Sequence, residues 1–233
     1  MQKESEPIEY VRGFTEFLGC KIDLSKRSLI PRPETEFWTE KAINSMYHDF
    51  QSFQNRSIEV LDIFSGSGCI GIAVLKHIKN CEVVFLDKEE KCLEQIKINL
   101  KINASLIRAN KGFTKRKRYV VVKSDVFSNI RGQFDCIFAN PPYVATTKIN
   151  KIQKSVLKYE PKLALLAGDD GLFYIREFLK EAKDYLNPEG RIFMEFSPEQ
   201  KNQIEKLIKK FHYRSWEFNK DQYGKWRWVI VFK

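Results

Sequence analysis

From Ile58 onward the chain alternates between short, almost wholly apolar runs and longer amphipathic ones. Ile58–Ile63 reads as a buried strand, ended by Ser65-Gly66-Ser67-Gly68, and Cys69–Ile78 as a helix packed close behind it. Cys81–Leu86 is a second strand closing at Asp87, and Lys88–Asn103 an amphipathic helix with Leu93, Ile96 and Leu100 on one face. Tyr119–Val122 and Phe134–Ala139 follow as strands, the latter stopped by Asn140-Pro141-Pro142-Tyr143. Next comes a helix over 171–186, ended by Asn187-Pro188-Glu189-Gly190, then a strand over Arg191–Phe196 and a helix from Pro198 to Phe211. Tyr213–Phe218 and Trp226–Phe232 predict two last strands joined at Gly224.

Strands alternating with helices predict an α/β fold: a doubly wound, mostly parallel seven-stranded sheet with helices on both faces and a C-terminal antiparallel hairpin. Residues 1–50 fall outside the alternation and read as an N-terminal extension, with a small hairpin over Phe14–Leu24 and a helix over Pro33–His48. Residues 51–233 form the main domain.

Composition narrows the partners. Of 233 residues 43% are hydrophobic and 30% charged, the balance of a globular chain able to bury its own core. No run approaches the roughly 18 apolar residues of a membrane span, and the first residues have no apolar core, so a soluble, cytoplasmic monomer is expected. Five scattered cysteines without a C-x-x-C pair read as free thiols, and three distant histidines offer no metal site. The net charge of +10 keeps a nucleic-acid partner open without favouring it. Its densest run, Lys111–Arg118, reads as an exposed basic loop.

Two motifs carry chemistry. Gly66-Ser67-Gly68-Cys69-Ile70-Gly71 spells G-x-G-x-x-G between a strand and a helix, and Asp87 closes the next strand. Glycines let the backbone approach a nucleoside, and a carboxylate at that strand end accepts ribose hydroxyls. This suits NAD, FAD or S-adenosylmethionine. Asn140-Pro141-Pro142-Tyr143 then discriminates among them. Proline forces Asn140 into extended backbone, and two prolines in a row make a stiff turn with free carbonyls. An amide or exocyclic amine nitrogen is a poor nucleophile because its lone pair is delocalised. Two acceptors on its two hydrogens, the Asn140 side-chain oxygen and the Pro141 carbonyl, return electron density to it, and the Tyr143 ring offers a stacking face. No strong base is required, so orientation and charge placement carry the reaction.

At these residues the chain resembles the HemK/PrmC group of protein-(glutamine-N5) methyltransferases, which are class I, Rossmann-like, S-adenosylmethionine-dependent enzymes. The resemblance runs through Leu29-Ile30-Pro31-Arg32-Pro33-Glu34-Thr35-Glu36, Asp62-Ile63-Phe64-Ser65-Gly66-Ser67-Gly68 and the Asn140–Tyr143 turn. It continues through Tyr159–Leu165, Gly168–Leu172, Met194–Gln200 and Asp221–Arg227. It implies methyl transfer to the glutamine of the Gly-Gly-Gln loop of peptide chain release factors. Asp62, Phe64, Ser65, Gly66, Ser67, Gly68, Asp87, Asp125, Val126 and Asn140 would bind S-adenosylmethionine. Asn140, Pro141, Pro142, Tyr143, Arg32, Glu34 and Thr35 would meet the substrate, with catalysis resting on Asn140, Pro141 and Tyr143. An ion pair between Arg32 and Glu34, capping the first helix, is the structural alternative for those two residues. The group usually carries glycine where this chain has Phe64, and a separate helical N-terminal domain where about ten residues precede the matching region here. The competing function is an RNA or DNA amino-methyltransferase acting on adenine N6 or guanine N2, for which the same turn would serve; the segments at Pro31–Glu36 and Tyr159–Leu172 favour protein. A cofactor-binding scaffold without activity would have no use for the intact turn.

Overall fold

Elements ahead of the alternation come first in the computed structural model, which describes residues 5–49, 56–107 and 118–233. A five-residue helix α1 (Ile8–Arg12), too short to leave a periodic signal, is ended by Gly13 at φ 81°. The hairpin β1 (Phe14–Phe17) and β2 (Cys20–Asp23) and the proline-started helix α2 (Pro33–Asp49) follow, where the pattern predicts them. The alternating region runs β3 (Ile58–Ile63), α3 (Cys69–His77), β4 (Cys81–Asp87), α4 (Glu90–Ile102), β5 (Tyr119–Lys123) and β6 (Phe134–Ala139). It continues with α5 (Lys154–Tyr159), α6 (Phe173–Glu181), β7 (Leu186–Glu195), α7 (Lys201–Lys210), β8 (Ser215–Lys220) and β9 (Trp226–Phe232).

The strands form a seven-stranded sheet in the order β5-β4-β3-β6-β7-β9-β8. Strands β3 to β7 pair in parallel, and β9 runs antiparallel to both of its neighbours. The chain builds outward from β3 to β5 and then returns to lay β6 on the other side of β3. That reversal opens a crevice above the carboxyl ends of β3 and β6, the place where such sheets bind ligands.

The strand side chains divide by the twofold alternation of a pleated sheet. Val60, Val83, Phe85, Phe138 and Phe193 face a core shared with α3, α4 and the N-terminal segment, including Trp38, Ala42 and Met46 of α2. Leu61, Ile63, Leu86, Ile137, Ile192 and Met194 face the opposite core, filled by Ile175, Phe178 and Leu179 of α6 and Ile204 and Ile208 of α7. Burial on both faces is why these runs read as continuously apolar. All five cysteines are free, four of them buried. Among the described residues no helix is long and apolar enough to cross a membrane.

Two expectations are corrected. The helix over 171–186 is shorter: α6 starts at Phe173, after Gly171 at φ 72°, and ends at Glu181 in a 3-10 turn. Asn187-Pro188-Glu189-Gly190 does not separate it from the next strand but lies inside β7. Pairing jumps from Phe134 with Leu186 to Cys136 with Arg191, so these residues bulge out and the strand resumes. A Cβ at Gly190 would sit 2.9 Å from the carbonyl oxygens of both Asn187 and Phe134, which is why the return needs glycine. The second correction concerns the basic run. Residues 111–117 lie outside the described residues, but Arg118 is buried rather than exposed. Its guanidinium donates to the carbonyls of Leu75, Ile78, Cys81 and Ile107. It thus meets the Leu75 and Ile78 acceptors at the end of α3 and ties them to the start of β4 and the segment after α4. Arg118→Met should fill the space yet strand these carbonyls, lowering the unfolding free energy by about 2–4 kcal/mol in urea titration; an unchanged midpoint would show that water replaces the guanidinium.

Candidate active site

Parallel register aligns the strand ends that matter. Leu86 of β4 pairs with Ile63 of β3, Ile63 with Ala139 of β6, and Ala139 with Met194 of β7. The next residues, Asp87, Phe64, Asn140 and Glu195, therefore stand side by side along the crevice.

The glycine turn is left-handed at three positions: Phe64 at φ 58°, Gly66 at φ 54° and Gly68 at φ 77°. Phe64 tolerates this conformation while its ring packs edge-on against Tyr174 and Phe178, with centroids 6.0 and 6.1 Å away. Ser65 stitches the turn to β4, its Oγ lying 2.6 Å from the Asp62 carbonyl and accepting from the Leu86 N–H at 2.8 Å. Asp87 accepts the Gly66 N–H on Oδ2 and the Glu89 N–H on Oδ1, both at 2.9 Å. Burial raises its pKa.

A cavity above this turn is lined by Phe64, Ser65, Gly66, Ser67, Asp87, Asp125, Val126 and Asn140, with Arg32 and Thr35 at its wall. Asp62 and Gly68 do not reach its lining; they support the turn from beneath. Asp62 Oδ2 accepts the Gly71 N–H at 2.9 Å, locking α3 to β3. A Cβ at Gly71 would lie 2.4 Å from the Phe85 ring, so only glycine permits this approach. Asp62 is fully buried, its Oδ1 has no hydrogen-bond partner, and burial pushes its pKa up to about 7.

A second cavity adjoins the first. Arg32, Pro141, Tyr143, Ile152, Val156 and Glu195 contribute to its lining, and Asn140 belongs to both cavities. Both prolines are buried. Asn140 Nδ2 donates to Thr35 Oγ1 at 3.3 Å. Neither Asn140 Oδ1 nor the Pro141 carbonyl accepts a hydrogen bond from the described residues. Tyr143 is held at both ends: its hydroxyl donates to Glu195 Oε1 at 3.0 Å, and its carbonyl accepts from Gln200 Nε2 at 2.8 Å. Burial and the neighbouring Glu195 raise the Tyr143 pKa, so the phenol keeps its proton.

The other segments of the sequence pattern converge here. Arg32 pairs not with Glu34 but with the buried Glu160, at 2.5 Å, and Glu160 also accepts the Ile30 N–H. Glu34 lines neither cavity. Gly171 packs so tightly that a Cβ there would lie 2.5 Å from the Tyr143 carbonyl oxygen. Residue-by-residue reading missed Glu195, which is 1% exposed yet accepts from Thr35 Oγ1 and Trp38 Nε1 on Oε2, both at 2.6 Å. Burial raises its pKa. The available signal was a lone carboxylate at the end of an apolar strand, Arg191–Phe196.

The first cavity suits a nucleoside bearing a charged tail. It offers an acidic acceptor for hydroxyls at Asp87, apolar walls at Ile70, Leu86 and Val126, and an open glycine backbone, since a Cβ at Gly66 would meet nothing nearer than 4.0 Å. Among the described residues no cluster is arranged to hold a metal ion.

The sheet order, the reversed strand β9 and the glycine turn at the switch point define a class I methyltransferase. A ribosomal protein L11 methylase from Lactobacillus delbrueckii subsp. bulgaricus has the same fold, with a TM-score of 0.59 at 14% identity over 91% of this chain and 83% of its own. Residues 49–159 match the methyltransferase small domain family. Release factor glutamine methyltransferases from Thermodesulfovibrio yellowstonii and Flavobacterium psychrophilum are each 32% identical to the chain. The alignments cover 99% and 98% of this chain and 77% and 76% of theirs. The chain belongs to the release factor glutamine methyltransferase family.

Asp62 gives the site a pH signature. A native pKa of about 7 against about 3.9 unfolded means the folded state holds a proton between pH 4 and 7 that the unfolded state has released. Stability from this group is present below pH 4 and lost as pH rises through 7. Asp62→Asn should therefore gain stability relative to wild type progressively from pH 4 to 7 and remain level above, as read by melting temperatures across that range. A difference independent of pH would contradict the protonated state.

Proposed function

We propose that the protein transfers a methyl group from S-adenosylmethionine to the side-chain amide nitrogen of the glutamine in the Gly-Gly-Gln loop of a peptide chain release factor. The observation that carries this reading is the pair of unpaired acceptors, Asn140 Oδ1 and the Pro141 carbonyl, on a wall between two cavities. The names of its relatives supply the substrate.

S-adenosylmethionine, when bound, supplies a methyl group on a positively charged sulfur. In the first cavity Asp87 would accept the ribose hydroxyls, Asp125 and Val126 would lie beside the adenine, and the Phe64–Ser67 backbone would follow the methionine end. In the second, Asn140 Oδ1 and the Pro141 carbonyl would each accept one N–H of the glutamine amide. Fixing both hydrogens orients the nitrogen toward the first cavity and opposes delocalisation of its lone pair. Pro142 stiffens the turn, and the Tyr143 ring forms part of the wall. The amide becomes acidic only as the new bond forms, so its proton can leave along either acceptor to water without a dedicated base.

Asn140→Ala should bind S-adenosylmethionine within a few-fold of wild type in calorimetry. It should lose about 10²–10³-fold in turnover, the scale expected when one oriented hydrogen-bonding group at a transition state is removed. With methyl-labelled cofactor, label should enter release factor and not total RNA. Label in RNA alone would establish the nucleic-acid reading, and full turnover by the variant would remove Asn140 from catalysis.

A further inference from the structure

The Asn140 amide faces Thr35 with its nitrogen end, and the reason lies two residues away. Thr35 Oγ1 is 2.6 Å from Glu195 Oε2 and 3.3 Å from Asn140 Nδ2. A hydroxyl has one proton to give. The same Glu195 oxygen receives the Trp38 indole N–H, and indole is a donor only, so this oxygen is an acceptor at the centre of the cluster. The second oxygen receives the Tyr143 hydroxyl. Thr35 Oγ1 donates its proton to Glu195 Oε2, beside the Trp38 N–H. The lone pairs of Thr35 are then all that remain for Asn140. Only the NH2 end of an amide can meet them, and the carbonyl end is left for the cavities.

We propose that Glu195, acting through Thr35, is a positioning element that sets which end of the Asn140 amide faces the substrate. The proposal deepens the methyl-transfer reading above and rests on it for its kinetic consequence. Its structural consequence is independent of that reading.

The surroundings make Glu195 suited to the task. It cannot swing away, because Trp38 is stacked between Phe138 and Trp228, with centroids 6.1 and 6.2 Å away, and holds its indole N–H on the carboxylate. Thr35 and Trp38 lie three residues apart on α2 and so present to one side of it. Register does the rest: Ala139 pairs with Met194, which brings Asn140 and Glu195 level at the ends of adjacent strands. If the amide were reversed, its oxygen would face the Thr35 lone pairs and its NH2 would point at the donors of the substrate. Both contacts would then repel.

Thr35→Val keeps the shape and burial of the side chain but removes the hydroxyl, whereas Thr35→Ser restores it. In ¹⁵N–¹H spectra of the full-length protein, the Asn140 side-chain NH2 pair can be assigned by its disappearance in Asn140→Asp. We expect that pair to shift and broaden in Thr35→Val, to return to its wild-type position in Thr35→Ser, and to stay there in Glu195→Gln. The glutamine can keep its oxygen toward Thr35 and Trp38 while its NH2 turns to the Tyr143 oxygen. In the release-factor assay kcat should fall about tenfold or more in Thr35→Val. The KM for the protein and the cofactor Kd should stay within threefold, and Thr35→Ser should recover most of kcat. Unmoved Asn140 signals in Thr35→Val would overturn the proposal, as would a kcat within twofold of wild type. If wild-type protein methylates no release factor but the signals move as described, the methyl-transfer reading fails and the relay stands.

Discussion

Asn140 can belong to two cavities at once only because β6 returns to lie beside β3, with Ala139 level with Ile63. That single register, at the point where the strand order reverses, brings the proline-locked turn to the glycine turn. Parallel hydrogen bonding extends the alignment to β4 on one side and β7 on the other. A strand slipped by one residue would turn every core side chain to the wrong face, so the apolar alternation protects the geometry of the polar row above it. The stiffness of the site is in this sense inherited from the core.

The polar row has its own internal logic. Its carboxylates are buried or half-buried, and each accepts hydrogen bonds instead of standing free: Asp62 from Gly71, Asp87 from Gly66 and Glu89, and Glu195 from Thr35, Trp38 and Tyr143. Burial raises the pKa of all three. A buried carboxylate is costly unless donors surround it, so each of these groups holds a fixed set of neighbours in place. Glu160 does the same for the entry segment, tying Arg32 and the Ile30 backbone to the residue that follows α5. Asp62, Asp87 and Glu195 organise the backbone and the amide; none of these three is placed as a free base, which agrees with a reaction governed by orientation.

The strand–helix alternation, both chemical motifs and the sheet class are legible from the pattern of residues, because strands buried on both faces and amphipathic helices leave strong periodic traces. Asp87, the glycine turn and Asn140 are legible too, since each sits at the end of an apolar run. Less legible were Arg118, whose neighbours in sequence are basic and whose neighbours in space are carbonyls, and Asn187–Gly190, whose turn chemistry is accommodated as a bulge inside β7.

Sequence alone determined which residues are candidates for the chemistry and which strands bear them, because proline, glycine and apolar periodicity act within a few residues of chain. The tertiary structure decided what those residues meet. Arg32 finds Glu160 across 128 positions, Thr35 finds Glu195 across 160, and Asn140 finds Thr35 across 105. Contacts at such separations depend on the register of whole strands and the docking of α2 against the sheet. No local pattern encodes them, because the free energy that fixes them comes from the core as a whole.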